Sequence, residues 1–176
     1  MNFEIILCDV NQDLCSAWRS RFRDPNVTVD CGDFFDVAAD AYTSPANSYG
    51  IMDGGFDGLL RARFRGVDVR VQREIDRLGG LLPVGHAIVV ETLDPDVPYL
   101  VSAPTMLNPG DVSSSNNVYL AMLAALRAVR DFNEENDDAI ESLAVPGLGT
   151  GVGRVSPAAA AGQMWQAFQD FVEESN

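Results

Sequence analysis

No lysine occurs anywhere in this 176-residue sequence; all 12 basic residues are arginine. That absence excludes a P-loop lysine, Schiff-base chemistry and any lysine nucleophile. Histidine is nearly as scarce. His86 is the only one, no metal constellation is visible, and a single histidine entering an apolar strand is expected to be structural. The three cysteines, Cys8, Cys15 and Cys31, are odd in number and widely spaced, so neither a disulfide framework nor a zinc pattern is expected. No stretch approaches the roughly 20 apolar residues of a membrane span. Ile5-Ile6-Leu7 follows no basic segment and is too short for a signal peptide. A cytoplasmic protein without membrane contact is expected.

Against these absences, 47% of the residues are hydrophobic and 22% charged, enough to bury a core in one domain over 1–176. The formal net charge is −14. So acidic a chain is not expected to bind a nucleic-acid backbone, which needs a basic face to displace counterions. An anionic small ligand would have to be held by main-chain N–H groups. No cofactor is expected, and the oligomeric state is open.

Hydrophobic periodicity predicts strands at 3–8, 27–31, 41–44, 87–91, 99–103 and 142–145. Helices are predicted at 12–22 behind an Asn11 cap, from Gly54-Gly55 through Phe64, at 67–78 before Gly79-Gly80, at 118–132, and from Ser156-Pro157 onward. Asn133 to Asp138 reads as a solvated connector, and Glu173 to Asn176 as a fraying end. Strands alternating with helices predict an α/β fold: a three-layer α/β/α sandwich with a mixed, largely parallel central sheet.

In such sheets ligands bind beyond the carboxyl ends of the strands, and two loops fall there. The first, 44–58, reads SPANSYGIMDGGFDG; the second, 146–157, reads PGLGTGVGRVSP. In the second, Gly147, Gly149, Gly151 and Gly153 alternate, letting amides turn toward an anion. The helix beginning near Pro157 is expected to add its positive end. The spacing is not G-x-G-x-x-G, which disfavours a dinucleotide site. The first loop places Asn47 before Gly54-Gly55 and sets Asp57 in the first turn of a helix.

These two loops, in this order, resemble the macro domain family, whose ligand loops read A-A-N followed by a glycine cluster and, later, G-x-x-T-G-x-x-G or similar. Gly32-Asp33-Phe34 is similar to the family's early G-D-I element, and Gly85-His86-Ala87 to its G-x-A entry into a central strand. The resemblance spans about residues 27 to 172. It implies that Asp33, beside Phe34, accepts a hydrogen bond from an adenine amino group and that Asn47 holds the distal ribose. It also implies that Gly54, Gly55, Phe56, Gly147, Gly149, Thr150, Gly151, Val152 and Gly153 enclose a diphosphate and its ribose. Arg154, the one basic residue in either loop, is a further ligand-binding candidate that would partly offset the ligand's negative charge, the alternative being a solvated surface arginine.

In one hydrolytic branch an Asp lies ten residues after the loop Asn, as Asp57 follows Asn47. The implied roles are catalytic, with Asp57 orienting or deprotonating a water. Three departures stand out: Asp53 replaces a glycine, Phe56 replaces a small aliphatic, and Gly153 replaces an aromatic. The segment 146–151 is also similar to a branch described as ADP-ribose-1″-phosphate phosphatases. The resemblance therefore implies an ADP-ribose-binding hydrolase acting on protein-linked ADP-ribose, O-acetyl-ADP-ribose or ADP-ribose-1″-phosphate. The alternatives are a reader module without turnover, or a scaffold with a vestigial pocket. A lysine-based mechanism known in the family is closed to this sequence.

Overall fold

The computed structural model describes residues 2–137 and 139–175. Its elements are β1 (Glu4–Cys8), α1 (Gln12–Arg21), β2 (Val27–Asp30), a 3₁₀ turn at Phe34–Asp36, β3 (Ala41–Ser44), α2 (Gly55–Arg63), α3 (Val67–Arg77), β4 (Ile88–Glu91), β5 (Tyr99–Ser102), α4 (Asn117–Glu135), β6 (Ser142–Val145) and α5 (Pro157–Glu174). The strands form one sheet in the order β2-β1-β6-β3-β5-β4. Every pairing is parallel except β4 with β5. Among the described residues no helix is long and apolar enough to cross a membrane.

Side chains alternate across the sheet with the period of two that strands impose. Ile5, Leu7, Leu143, Val145 and Val101 point to one face, where Trp18, Met164 and Phe168 complete a core under α1, α4 and α5. Cys8, Tyr42, Leu100 and Ala144 point to the other, where Phe64, just after α2, and Val71 and Ile75 of α3 cover them. Buried faces on both sides are what a largely parallel sheet requires. The helix starts follow from local chemistry. The Asn11 side chain accepts from the amides of Asp13 and Leu14, and the Ser156 side chain accepts from Ala159 ahead of Pro157.

Several expectations need correction. Cys15 and Cys31 are joined as a disulfide, with their Cα atoms 6.0 Å apart, and Cys8 remains free and buried. Spacing of 16 residues hid this pairing, because only the return of β2 beside α1 brings the two sulfurs together. Asn133 is not solvated: it is buried in the last turns of α4, donating to the Ile140 carbonyl and accepting from its amide. Asp138, the end of that expected connector, lies outside the described residues. The C-terminal helix is helical through Glu174, which pairs with Arg127 across to α4; Asn176 lies outside the described residues. Finally, Gly85-His86-Ala87 leads into β4, which is the edge strand and antiparallel rather than central.

Candidate functional site

The carboxyl ends of β1, β6, β3 and β5 face one edge of the sheet, as their parallel pairing demands. There the two glycine-rich loops converge on a cavity of about 500 Å³. Asp53 to Asp57 line one side, Pro146 to Thr150 and Gly151 to Gly153 the other, with Leu148 buried behind them. This is the arrangement expected for a ligand site at the open end of an α/β sheet.

Main-chain donors dominate the walls. The amides of Gly149, Thr150, Gly151, Val152 and Gly153 make no hydrogen bond among the described residues, whereas the neighbouring Gly147, Arg154 and Val155 amides bond to Asp9 Oδ2, the Gly151 carbonyl and the Gly149 carbonyl. Facing them, the N-terminus of α2 has no side-chain cap. An uncapped helix start and a run of unpaired amides are both suited to an anion. The α5 start does not supply the positive helix end expected of it. Ser156 caps that helix, and residues 154–157 do not line the cavity; the helix end that faces the cavity is that of α2.

The glycines divide by role. A Cβ at Gly147 would lie 2.5 Å from Leu14 Cδ2 and 2.6 Å from Asp9 Oδ2, and one at Gly153 would lie 2.6 Å from the Gly149 carbonyl oxygen. Gly149 has φ +71° and would meet Val118 at 2.7 Å. Gly54, Gly55 and Gly151, by contrast, have nothing within 4 Å of such an atom. The first group lets the loop pack; the second keeps the cavity wall open.

Asp57 carries the strongest electrostatic perturbation in the cavity. Period-two alternation puts Ser44 on the same sheet face as Tyr42, under α2, and its Oγ donates to Asp57 Oδ1 at 2.6 Å. Burial pushes the Asp57 carboxyl up to about 6, the Ser44 hydrogen bond opposing it. A carboxylate poised near neutrality in a cleft fits proton-transfer work.

Other residues singled out from the sequence are placed differently. The Asn47 side chain is buried and engaged with its own loop, accepting from the amides of Tyr49 and Ile51 and donating to the Ile51 carbonyl at 2.8 Å. Asp33 is exposed, accepts from the Phe35 amide at 3.0 Å and does not line the cavity. Phe34 lies beneath Phe56, their ring centroids 5.0 Å apart, so it supports the wall that Phe56 forms. Arg154 is exposed and stands outside the cavity, leaving it without a cationic wall among the described residues.

Sequence reasoning missed Asp9 and the wall formed by Thr105, Met106 and Pro109. Asp9 leaves β1 and joins it to the second loop through the Gly147 amide, 3.2 Å from Oδ2. Residues 105–109 follow β5, and the bridge between Asn47 and Met106 ties them to the first loop. The signal was available: each of these segments leaves the carboxyl end of a parallel strand.

A mixed α/β/α sandwich with an anion-ready cleft between two glycine-rich loops defines the class. The macro domain family model matches residues 43–164, and the chain belongs to the macro domain family. It is 35% identical over 135 residues to an uncharacterized protein of Aeropyrum pernix, covering 77% of this chain but only 66% of that protein, just under two thirds of its length. An uncharacterized protein of Aquifex aeolicus is 32% identical over 146 residues, with 83% and 82% covered.

Among solved structures, the macrodomain of Mycobacterium tuberculosis DarG shares the fold with a TM-score of 0.66 at 24% identity, covering 79% of this chain and 87% of that one. The Oceanobacillus iheyensis macrodomain with ADP has a TM-score of 0.62 at 18% identity, with 81% and 74% covered. Thermosipho africanus DarTG in complex with ADP-ribose has a TM-score of 0.60 at 18% identity, covering 92% of this chain and 49% of that one.

Proposed function

We propose that this protein binds ADP-ribose and hydrolyses an adduct at its anomeric carbon, with Asp57 as the catalytic carboxylate. The observation that carries the reading is Asp57 itself, a partly buried carboxyl raised to about 6 and oriented by Ser44. It stands in a cavity that both loops line. The unpaired amides 149–153 and the uncapped α2 start supply donors for a diphosphate, and the absence of lysine makes main-chain donors the natural choice. Solved relatives contain ADP and ADP-ribose.

In this reading the diphosphate fixes the sugar, and Asp57, charged at neutral pH, takes a proton from a water. The water oxygen forms a bond to the anomeric carbon, the bond to the carried group breaks, and that group departs with the electron pair and recovers a proton. Asn47 acts through the loop it braces, and Phe56 packs beside the sugar with Phe34 behind it. Asp33 is assigned the adenine amino group, with Asp33→Ala expected to weaken adenosine-containing ligands more than ribose phosphate.

Product analysis tests the reading. The protein is incubated in parallel with ADP-ribosylated protein, O-acetyl-ADP-ribose and ADP-ribose-1″-phosphate, and released ADP-ribose is quantified. Release from at least one is expected. Tight ADP-ribose binding by calorimetry with no release from any would leave a reader module; no binding at all would leave a scaffold.

A further inference from the structure

Two buried hydroxyls, Thr43 Oγ1 and Ser102 Oγ, have no hydrogen-bond partner among the described residues. Thr43 is 0% and Ser102 1% exposed. A buried polar group left unpaired costs stability, so a retained one calls for a reason. Their places in the sheet differ. Thr43 lies on the face of Ala41 and Val101, in the core under α1, α4 and α5. Ser102 lies on the opposite face with Leu100 and Tyr42, under α2 and α3.

The register sets Ser102 of β5 across from Ser44 of β3 and, on its other side, from Ile88 of β4. Residues so paired share a face, and Ser44, Ser102 and Ile88 form one row. Of the two neighbours of Ser102 in that row, only Ser44 carries a hydroxyl. Ser44 is also the residue whose Oγ donates to Asp57 Oδ1 at 2.6 Å. Neighbouring strands lie about 4.8 Å apart, so one staggered rotation about χ1 carries either hydroxyl toward the other.

Ser44 has a single proton to donate. While Asp57 is charged, that proton stays with the carboxylate, because a hydrogen bond to an ionised acceptor is roughly twice as strong as one between neutral groups. When Asp57 takes a proton from water, the charge and its advantage are gone. The Ser44 hydroxyl then has use for a neutral acceptor, and Ser102 Oγ, with its lone pairs unengaged, is the one its row supplies.

We propose that Ser102 is a positioning residue for Asp57: it accepts the Ser44 hydroxyl once Asp57 is protonated and releases it when Asp57 is charged. The proposal rests on reading Asp57 as the base. One proton is transferred, from the water to the Asp57 carboxylate; each serine keeps its own and only turns. Ser102 thereby favours the protonated state and keeps Asp57 a competent base, whereas Ser44 by itself favours the charged state.

The other titratable groups around Asp57 are accounted for. Asp9 after β1 and Asp53 of the first loop line the cavity, while the second loop and residues 105–109 contribute no ionisable side chain to its lining. On the sheet face below, burial raises the Cys8 thiol to about 11 and the Tyr42 hydroxyl above its ordinary value, so both stay neutral. Arg61 and Arg63 of α2 pair with Asp68 and Asp94.

The test follows the Asp57 side-chain carboxyl by carbon-13 NMR through a pH titration of the full chain, beside kcat/KM profiles on ADP-ribosylated protein, O-acetyl-ADP-ribose and ADP-ribose-1″-phosphate. Ser102→Ala is expected to move the Asp57 midpoint and the acidic limb to lower pH by about half to one unit, the worth of one hydrogen bond. That direction is opposite to the one expected of Ser44→Ala. Affinity for ADP-ribose should not change, and stability at pH 8 should be no lower than wild type, since an unpaired hydroxyl has been removed. Ser102→Thr, which keeps the hydroxyl, should hold the wild-type midpoint. In a Ser44→Ala background, Ser102→Ala should shift nothing further, because its effect passes through Ser44. Thr43→Val, on the other face, should leave the midpoint alone. An unmoved or raised midpoint in Ser102→Ala, an equal shift in the Ser44→Ala background, or the same shift from Thr43→Val would each overturn the proposal. Release of ADP-ribose from none of the three adducts by wild type would overturn the reading of Asp57 as a base, and the role of Ser102 with it; that failure is visible in the turnover assays alone.

Discussion

The two loops that enclose the cavity look alike in composition but keep their shapes by different means. The first is braced by side chains: Asn47 satisfies the Tyr49 and Ile51 backbone, and Ser44 holds Asp57. Two of its glycines, Gly54 and Gly55, have nothing within 4 Å of an added Cβ, while a Cβ at Gly50, at φ +67°, would lie 2.5 Å from Ile75 Cδ1. The second is braced by the exclusion of side chains, since Gly147, Gly149 and Gly153 have no room for a Cβ. Only Gly151 resembles the open glycines of the first. A glycine-rich string can thus serve close packing or ligand access, and the neighbours across the fold determine which.

The largest expected effect separates chemistry from shape. Asp57→Ala should cut turnover by roughly 10²–10⁴-fold, the range for a lost general base, while ADP-ribose affinity by calorimetry changes little. Loss of binding equal to loss of turnover would make Asp57 part of the cradle instead.

Next comes the contrast within the second loop. Gly153→Ala should destabilise the fold by about 1–3 kcal/mol through overpacking against the Gly149 carbonyl and Val112, read by denaturant titration. Gly151→Ala should leave stability unchanged and weaken ADP-ribose binding. If the two variants behave alike, the division between packing and access glycines is wrong.

In the first loop, Asn47→Ala should cost about 1–3 kcal/mol, because buried main-chain groups lose their partners. Gly54→Ala should cost far less, reversing the pattern of the second loop.

A smaller effect concerns protonation. The Asp57 carboxyl is raised from its ordinary 3.8 to about 6, so its neutral form is favoured in the folded state. Its contribution to stability is complete below the ordinary value and is lost as pH rises through about 6. Asp57→Asn should therefore flatten the decline of stability across that window in pH-resolved denaturation. Ser44→Ala removes the interaction that opposes the rise, and should move the acidic limb of the kcat/KM profile to higher pH.

The smallest effect is that of salt. Among the described residues no cationic side chain lines the cavity, whereas Asp9, Asp53 and Asp57 do, so moderate salt should screen repulsion of an anionic ligand and leave association unchanged or slightly faster in stopped-flow measurements. A steep loss of affinity for free ADP-ribose with salt would point to cationic contacts.

Much of this was legible beforehand for definite reasons. β3 and β6 fall where the sequence pattern put them, Asn11 and Ser156 cap as their side chains allow, and Asp57 lies in the first turn of α2 because that helix opens at Gly54-Gly55 as expected. The misses share a cause. The Cys15–Cys31 pairing, the Asp9 contact to Gly147, the wall at 105–109 and the edge position of β4 all join segments far apart in the chain.

Local pattern alone determined the order of strands and helices and the composition of the two loops, because alternation, capping and glycine content act over a few neighbouring residues. Which loop amides stay unpaired, which glycines border open space and how far burial raises the Asp57 carboxyl were decided by tertiary structure. Each depends on atoms that only the parallel assembly of β1, β6, β3 and β5 brings within contact distance.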